Sequence, residues 1–216
     1  MVGLAPPRPS SSLPNPGVVL QGISWETYLK MLSEMGEHRA CRLAYRQGRL
    51  EITMPSDLHE GNKKLLERML EALTEELEQP LKSFGSTTLN REDLRQGAEP
   101  DSCYYIQNAN QIVGRRIDLE RDPPPDLVLE VDISSPSTQR MEIYAQLGVA
   151  ELWRYIQGEV QILQLENGRF VACDSSPTFP IVSAAVLNEF LQVAEMQDET
   201  AWIRSWRRWI REQLAE

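Results

Sequence analysis

The stretch that decides the fold is PPPDLVLEVDISSPS, residues 123–137, in which apolar and acidic side chains alternate. Successive side chains of a β-strand point to opposite faces of the sheet. One face of this strand is therefore apolar and is formed by Leu127, Leu129 and Val131. The other face carries the carboxylates of Asp126, Glu130 and Asp132. The pattern predicts a central strand with an acidic row on one side.

Buried carboxylates repel each other and lose hydration, so such a row indicates a compensating cation or access to solvent. A second acidic group stands in AEPDSCYY, where Asp101 begins the preceding predicted strand. If the two strands pair, Asp101 can approach Glu130, and oxygen ligands of this kind suit Mg²⁺ or Mn²⁺. Asp126 would lie about 13 Å from Glu130 along an extended strand and is interpreted as a strand-entry residue. A turn or cap role for Asp101 is the alternative.

The segments around this strand alternate between helical and extended patterns. ISWETYLKMLSEM, with Ser24 as N-cap, predicts a short helix, and CRLAYRQGRLEITMPS predicts a hairpin around Gln47-Gly48. The apolar spacing of residues 57–79 predicts a long helix, with Asp57 and Glu60 as a capping box. Residues 81–90, 99–106 and 124–134 predict neighbouring strands. A helix ending at Gly148, a hairpin, a last strand and a short helix follow.

Composition limits the class of protein. The chain has 216 residues, 41% of them hydrophobic and 25% charged, which is typical of a folded globular protein. Its net charge of −10 opposes a broad nucleic-acid-coating surface, so any contact with DNA is expected to be local. Three separated cysteines and two histidines exclude a disulfide framework or a site of several histidines, and fit a cytoplasmic protein. No stretch has the roughly 20 apolar residues that a membrane span requires.

Three regions differ in sequence character. Residues 1–21 are rich in Pro and Ser and are predicted to be flexible, and residues 22–195 are predicted to form one α/β domain. Residues 196–216 predict an amphipathic helix with a Trp-rich face and several arginines. That face is expected to pack on the domain or on a second copy of the chain, and contact with nucleic acid is the alternative.

The order of these segments resembles the restriction-endonuclease-like fold of the PD-(D/E)XK superfamily, an α/β fold with a central mixed β-sheet flanked by helices. More closely, GRLEITMPSDLHE, EPDS, PDLVLEVDISSPS and IYAQLGVAELWRY resemble the bacterial Uma-two family of predicted endonucleases, over about residues 22–190. The resemblance implies a metal-dependent nuclease acting on DNA. Its implied metal ligands are Asp101 and Glu130, with His59 as a further ligand or orienting group.

The sequence departs from the superfamily pattern at one position. A lysine usually follows the strand carboxylate by two residues, but Asp132 stands there. In the Uma-two pattern a basic residue four positions before the Tyr of the following helix can replace it, and that residue is Arg140. Arginine can hold phosphate but is too basic to act as a general base. Metal-bound hydroxide or a lysine of the first long helix, Lys63 or Lys64, would then have to activate water.

The residues leave other functions open. His59 and Glu60 can serve only the start of the long helix, as a backbone partner and as part of the capping box. The missing lysine, the net charge and the Trp-rich helix favour a catalytically inactive binding or assembly module as the alternative to a nuclease. A hydrolase acting on another substrate with the same carboxylates is a third class, since a fold does not determine a function.

Overall fold

The computed structural model describes residues 17–36, 39–112, 114, 116–132 and 138–215. The strands are β1 Gly17–Leu20, β2 Arg42–Arg46, β3 Arg49–Thr53, β4 Lys82–Phe84, β5 Leu89–Arg91, β6 Gln96–Ala98, β7 Ser102–Tyr105, β8 Leu127–Asp132, β9 Glu151–Ile156, β10 Glu159–Glu166 and β11 Arg169–Cys173. The α-helices are α1 Trp25–Met35, α2 Asp57–Glu76, α3 Thr138–Leu147, α4 Ala184–Ala194 and α5 Glu199–Leu214. A short 3₁₀ turn covers Ala109–Gln111.

The strands form two sheets. The larger sheet has the order β11-β10-β9-β8-β7-β4 and is mixed, because β8 and β9 run parallel while its other neighbours are antiparallel. The smaller sheet has the order β1-β3-β2-β6-β5 and is antiparallel. Strand β8 lies inside the larger sheet with all six residues buried, as its sequence predicted.

Alternation along β8 separates two parts of the core. Leu127, Leu129 and Val131 pack with α2, α4 and α5, whereas Val128 packs with α3 on the opposite face. Helix α3 connects the parallel strands β8 and β9 and turns at Gly148, whose φ of 85° is readily adopted by glycine. This crossover places α3 directly over the acidic face of β8.

Several predicted elements are confirmed, and two details were wrong. The hairpin around Gln47-Gly48 pairs Leu43 with Ile52 and Tyr45 with Leu50, as expected. Residues 81–90 do not form one strand, because β4 joins the larger sheet and β5 the smaller. Helix α2 begins at Asp57 and is capped by Ser56, whose Oγ accepts a hydrogen bond from the His59 N–H at 3.3 Å. Ser56 takes the capping role because it stands one residue earlier with the extended backbone of an N-cap.

The first described strand joins the smaller sheet, and the last helix packs on other helices. Strand β1, within the segment predicted to be flexible, pairs with β3, and residues 1–16 lie outside the described part. Helix α5 packs on α2 and α4, with Trp202 and Trp206 fully buried. The Trp-rich face was expected to pack on the domain or on a second copy of the chain, and Trp202 and Trp206 pack on the domain. In the described ranges no helix is both long enough and apolar enough to cross a bilayer.

Candidate active site

The candidate site lies where β7 and β8 stop pairing. The last paired positions are Ser102 with Leu129, so Asp101 and Glu130 are the next residues on the two strands. The backbone does not continue the ladder there. Instead the Asp101 carboxylate accepts a hydrogen bond from the Val131 N–H at 2.7 Å. The structure therefore brings Asp101 next to the strand of Glu130, as the sequence predicted.

Asp101 is fully buried and is held by two basic side chains. His59 Nε2 lies 2.9 Å from Asp101 Oδ2, and Arg42 Nε lies 3.0 Å from Asp101 Oδ1. Burial raises the pKa of Asp101, but the His59 hydrogen bond and the charges of His59 and Arg42 outweigh it and leave the pKa below its usual range. Asp101 is thus stabilised as a carboxylate inside the protein.

His59 contributes to the site from the first turn of α2. Its Nε2 faces Asp101, and its Nδ1 lies 3.4 Å from Glu60 Oε1. The residue is 3% exposed. Because the nitrogen nearest the strands is already hydrogen-bonded to Asp101, the geometry makes His59 a partner that orients Asp101. Its sequence-based role as a metal ligand stays a prediction.

Glu130 has a different electrostatic environment. It accepts hydrogen bonds from Arg140 Nη1 at 2.8 Å and from the Tyr144 hydroxyl, both on α3. Burial raises the pKa of Glu130 to about 8, reinforced by Asp101 and Asp132, although Arg140 and Tyr144 act in the opposite direction. Near neutral pH this carboxyl group therefore retains its proton more readily than an exposed glutamate.

Arg140, predicted to hold phosphate, lies in the buried acidic row. Its Nη2 is 3.3 Å from Asp132 Oδ1, and Asp132 also accepts a hydrogen bond from Arg154 Nε at 2.8 Å. The space that these side chains enclose beside Glu130 has no volume for a water molecule. The guanidinium groups thus provide the compensating cations that the acidic face of β8 requires.

The other sequence candidates have separate positions. Lys63 Nζ lies 3.8 Å from Glu60 Oε2 and 3.6 Å from Glu67 Oε1, so it belongs to an ion-paired row on α2. Asp126 accepts hydrogen bonds from the backbone N–H groups of Ile106 and Asn108. It fixes the loop after β7, in agreement with its interpretation as a strand-entry residue. The SSPS segment of the motif, residues 134–137, lies outside the described residues.

A divalent metal fits this donor set in part. Asp101 and Glu130 offer the oxygen ligands that Mg²⁺ and Mn²⁺ prefer, and Asp101 Oδ1 is buried with Arg42 Nε as its ion-pair partner at 3.0 Å. Within the described ranges, no group of three or more His, Cys, Asp or Glu side chains is arranged to hold a metal ion. The residues that would hold the ion are therefore the two strand carboxylates, and the remaining ligands would have to be water or substrate.

Sequence reasoning missed three residues of the site: Arg42, Tyr144 and Arg154. Tyr144 follows Arg140 by four residues, which places both on one face of a helix, so the spacing could have assigned both to Glu130. Arg154 comes from β9, which pairs with β8, whereas Arg42 comes from β2 of the smaller sheet and contacts Asp101. No local signal in the sequence indicates those two contacts.

Comparisons with known proteins identify the family and the fold. The family model Uma2, described as "Putative restriction endonuclease", matches residues 25–193. The fold is similar to the crystal structure of a "putative nuclease belonging to DUF820" from Anabaena variabilis, with a TM-score of 0.51 and 16% identity over 77% of this chain and 98% of that chain. No curated protein matches the chain. The sequence resemblance and the restriction-endonuclease-like α/β fold are confirmed, and the chain belongs to the Uma2 family.

Proposed function

We propose that the chain is a nuclease that hydrolyses DNA phosphodiester bonds with a divalent metal, Mg²⁺ or Mn²⁺, held by Asp101 and Glu130. The observation that carries the proposal is the position of these carboxylates, which follow the last paired residues of two neighbouring strands. Membership of the Uma2 family supports the reaction class. When bound, such a metal would polarise the phosphate and lower the pKa of a water molecule.

The protein residues would prepare the two ligands in different ways. The hydrogen bonds from His59 and the Val131 N–H hold Asp101 in one orientation, and His59 and Arg42 keep it ionised. Glu130 must release its proton to become a ligand, and the adjacent Arg140 favours that release. The Tyr144 hydroxyl fixes the orientation of the Glu130 carboxyl group. Arg140 would also oppose negative charge that develops on the phosphate, because guanidinium groups stabilise phosphate oxygens.

A plasmid-cleavage assay tests this function. We would compare the parent with Asp101→Asn and Glu130→Gln in Mg²⁺, in Mn²⁺ and in EDTA, because these amides keep the size of the buried groups. Glu142→Gln is the matched control, since Glu142 is on α3 but its side chain is 50% exposed. The proposal requires cleavage by the parent and by the control only with metal, and its loss in both site variants with retained circular dichroism. Equal cleavage by all four proteins would show that the site is wrong.

The alternative function is a catalytically inactive, nuclease-fold binding module. One observation favours it: Arg140 and Arg154 already neutralise the acidic row, and the enclosed space beside Glu130 has no room for water. Calorimetric titration of Mn²⁺ separates the two functions. Binding by the parent that is absent in an Asp101→Asn, Glu130→Gln double variant supports the nuclease, and no binding by the parent supports the module.

A further inference from the structure

A polar cavity of about 660 Å³ opens beside Arg42, the residue that is paired with Asp101. It lies between the start of β2 and the loop that joins β4 to β5. Three arginines and three hydroxyl side chains contribute to its walls, together with Glu99, Cys41 and Ile117. These basic and hydroxyl residues are Arg39, Arg42, Arg116, Ser86, Thr87 and Thr88. We name this space the arginine cavity.

Guanidinium groups are concentrated in the walls of the arginine cavity. Its walls carry three guanidinium groups and one carboxylate, whereas the chain has a net charge of −10. The carboxylate, Glu99, is turned inward and satisfied by the protein. It accepts hydrogen bonds from the Leu43 N–H and the Thr88 hydroxyl, both at 2.8 Å, and is ion-paired with Arg39. The cavity wall is therefore rich in guanidinium groups, of which Arg39 is paired with Glu99 and Arg42 with Asp101.

Arg42 connects this cavity to the candidate active site. Its guanidinium lines the cavity, while its Nε contacts Asp101 at 3.0 Å and its Nη2 lies 3.6 Å from Glu60. Its side chain is 11% exposed and lies between the cavity and Asp101. An anion in the cavity would thus be one side chain away from the carboxylate proposed to hold the metal.

The chemistry of the walls selects the anion. Guanidinium groups bind phosphate oxygens in a bidentate manner, and hydroxyl groups add single hydrogen bonds. The described residues that line the cavity include no aromatic ring on which a base could stack. Resting on the proposed function, we infer that the arginine cavity binds backbone phosphates of nucleic acid beside the bond that is cleaved. Such contacts position the strand and carry no sequence information.

The test measures binding without hydrolysis. Fluorescence anisotropy of a short labelled duplex in EDTA compares the parent with Arg116→Glu and Thr87→Glu, which alter the exposed and half-buried parts of the cavity wall. Arg204→Glu is the charge-matched control, because Arg204 is exposed on α5 and does not line the cavity. We expect both cavity variants to weaken binding about tenfold and to flatten the dependence of log Kd on log salt by about 1. The control is expected to change binding much less.

Three outcomes would overturn the inference. The first is no binding of duplex by the parent, and the second is an equal loss in Arg116→Glu and Arg204→Glu. The third is binding of inorganic phosphate as tightly as duplex, which would identify a site for a free anion. Because cleavage is not read, this result is independent of the nuclease assay. Binding lost only in the cavity variants would support the arginine cavity even if every protein failed to cleave plasmid.

Discussion

Asp101 and His59 share a buried hydrogen bond of 2.9 Å across 42 residues of sequence, and this bond ties the start of α2 to the junction of β7 and β8. The same Asp101 oxygen accepts the Val131 N–H at 2.7 Å. One carboxylate therefore joins a helix and two strands. Removing a partner from a buried charge costs more than the net worth of the bond, because the remaining charge stays desolvated.

His59→Ala tests that relationship. We expect a loss of about 1–3 kcal/mol in the free energy of unfolding at pH 7, since buried Asp101 loses a donor. The depressed pKa of Asp101 contributes stability above its unfolded value, and this contribution disappears as the pH falls through the folded value. Without His59 the folded pKa rises, so acid unfolding should begin at a higher pH. Urea denaturation over a pH series measures both effects.

The control for this prediction is Glu60→Gln. Glu60 contacts the other ring nitrogen of His59, but its side chain is 40% exposed. Solvent can replace that contact, so little change in stability is expected. A loss in Glu60→Gln as large as that in His59→Ala would contradict a special role for the buried bond to Asp101.

Glu130→Gln should change how stability depends on pH. The pKa of Glu130 is raised from 4.5 to about 8 on folding, so the folded state binds more protons than the unfolded state between those values. Stability contributed by this residue therefore falls as the pH rises from about 5 to 8. Glutamine cannot ionise and resembles the protonated side chain. We expect the variant to gain stability relative to the parent across this range, whereas a constant difference from pH 5 to 8 would contradict the raised pKa.

The local pattern of the sequence was sufficient for most of the fold. The alternation of Leu127, Glu130 and Val131 separates the two faces of β8, and the hairpin around Gly48 has the expected register. The expected pairing of the two strands also predicted that Asp101 lies near Glu130. The local pattern could not predict how the carboxylates are neutralised, because Arg42 comes from the smaller sheet and Arg154 from a neighbouring strand of the larger one. Charge compensation is a property of the tertiary structure.

Gly97 should tolerate no side chain, although its backbone has no unusual φ. A Cβ atom there would lie 1.8 Å from Asn90 Oδ1 and 2.8 Å from the Tyr28 hydroxyl, which hydrogen-bond to each other at 2.8 Å across the glycine. We expect Gly97→Ala to break that bond and to cost about 1–3 kcal/mol by overpacking. Thermal unfolding measures the loss.

A second glycine provides the opposite expectation. Gly61 is inside α2, and a Cβ atom there would meet nothing within 4 Å. Alanine restricts the unfolded chain and favours the helix, so Gly61→Ala should gain about 0.5–1 kcal/mol. If both alanine variants lose stability equally, the close approach at Gly97 is not the cause of its cost.

Trp206 should be the residue through which α5 stabilises the domain. Its ring is fully buried and stacks on Trp209 at a centroid distance of 4.9 Å, and its Nε1 donates a hydrogen bond to the Met69 carbonyl at 2.9 Å. Trp206→Ala would leave a cavity between α5 and α2 and remove the hydrogen bond to the Met69 carbonyl. We expect a loss of about 3–5 kcal/mol in urea denaturation.

Leu214→Ala is the matched control on the same helix, because Leu214 is 51% exposed. Its truncation removes little buried surface, so the free energy of unfolding should change by less than about 0.5 kcal/mol. The Trp206 effect should also be independent of protein concentration, because the ring packs against its own chain. If the parent itself became less stable on dilution, the Trp-rich face would instead lie between two copies of the protein.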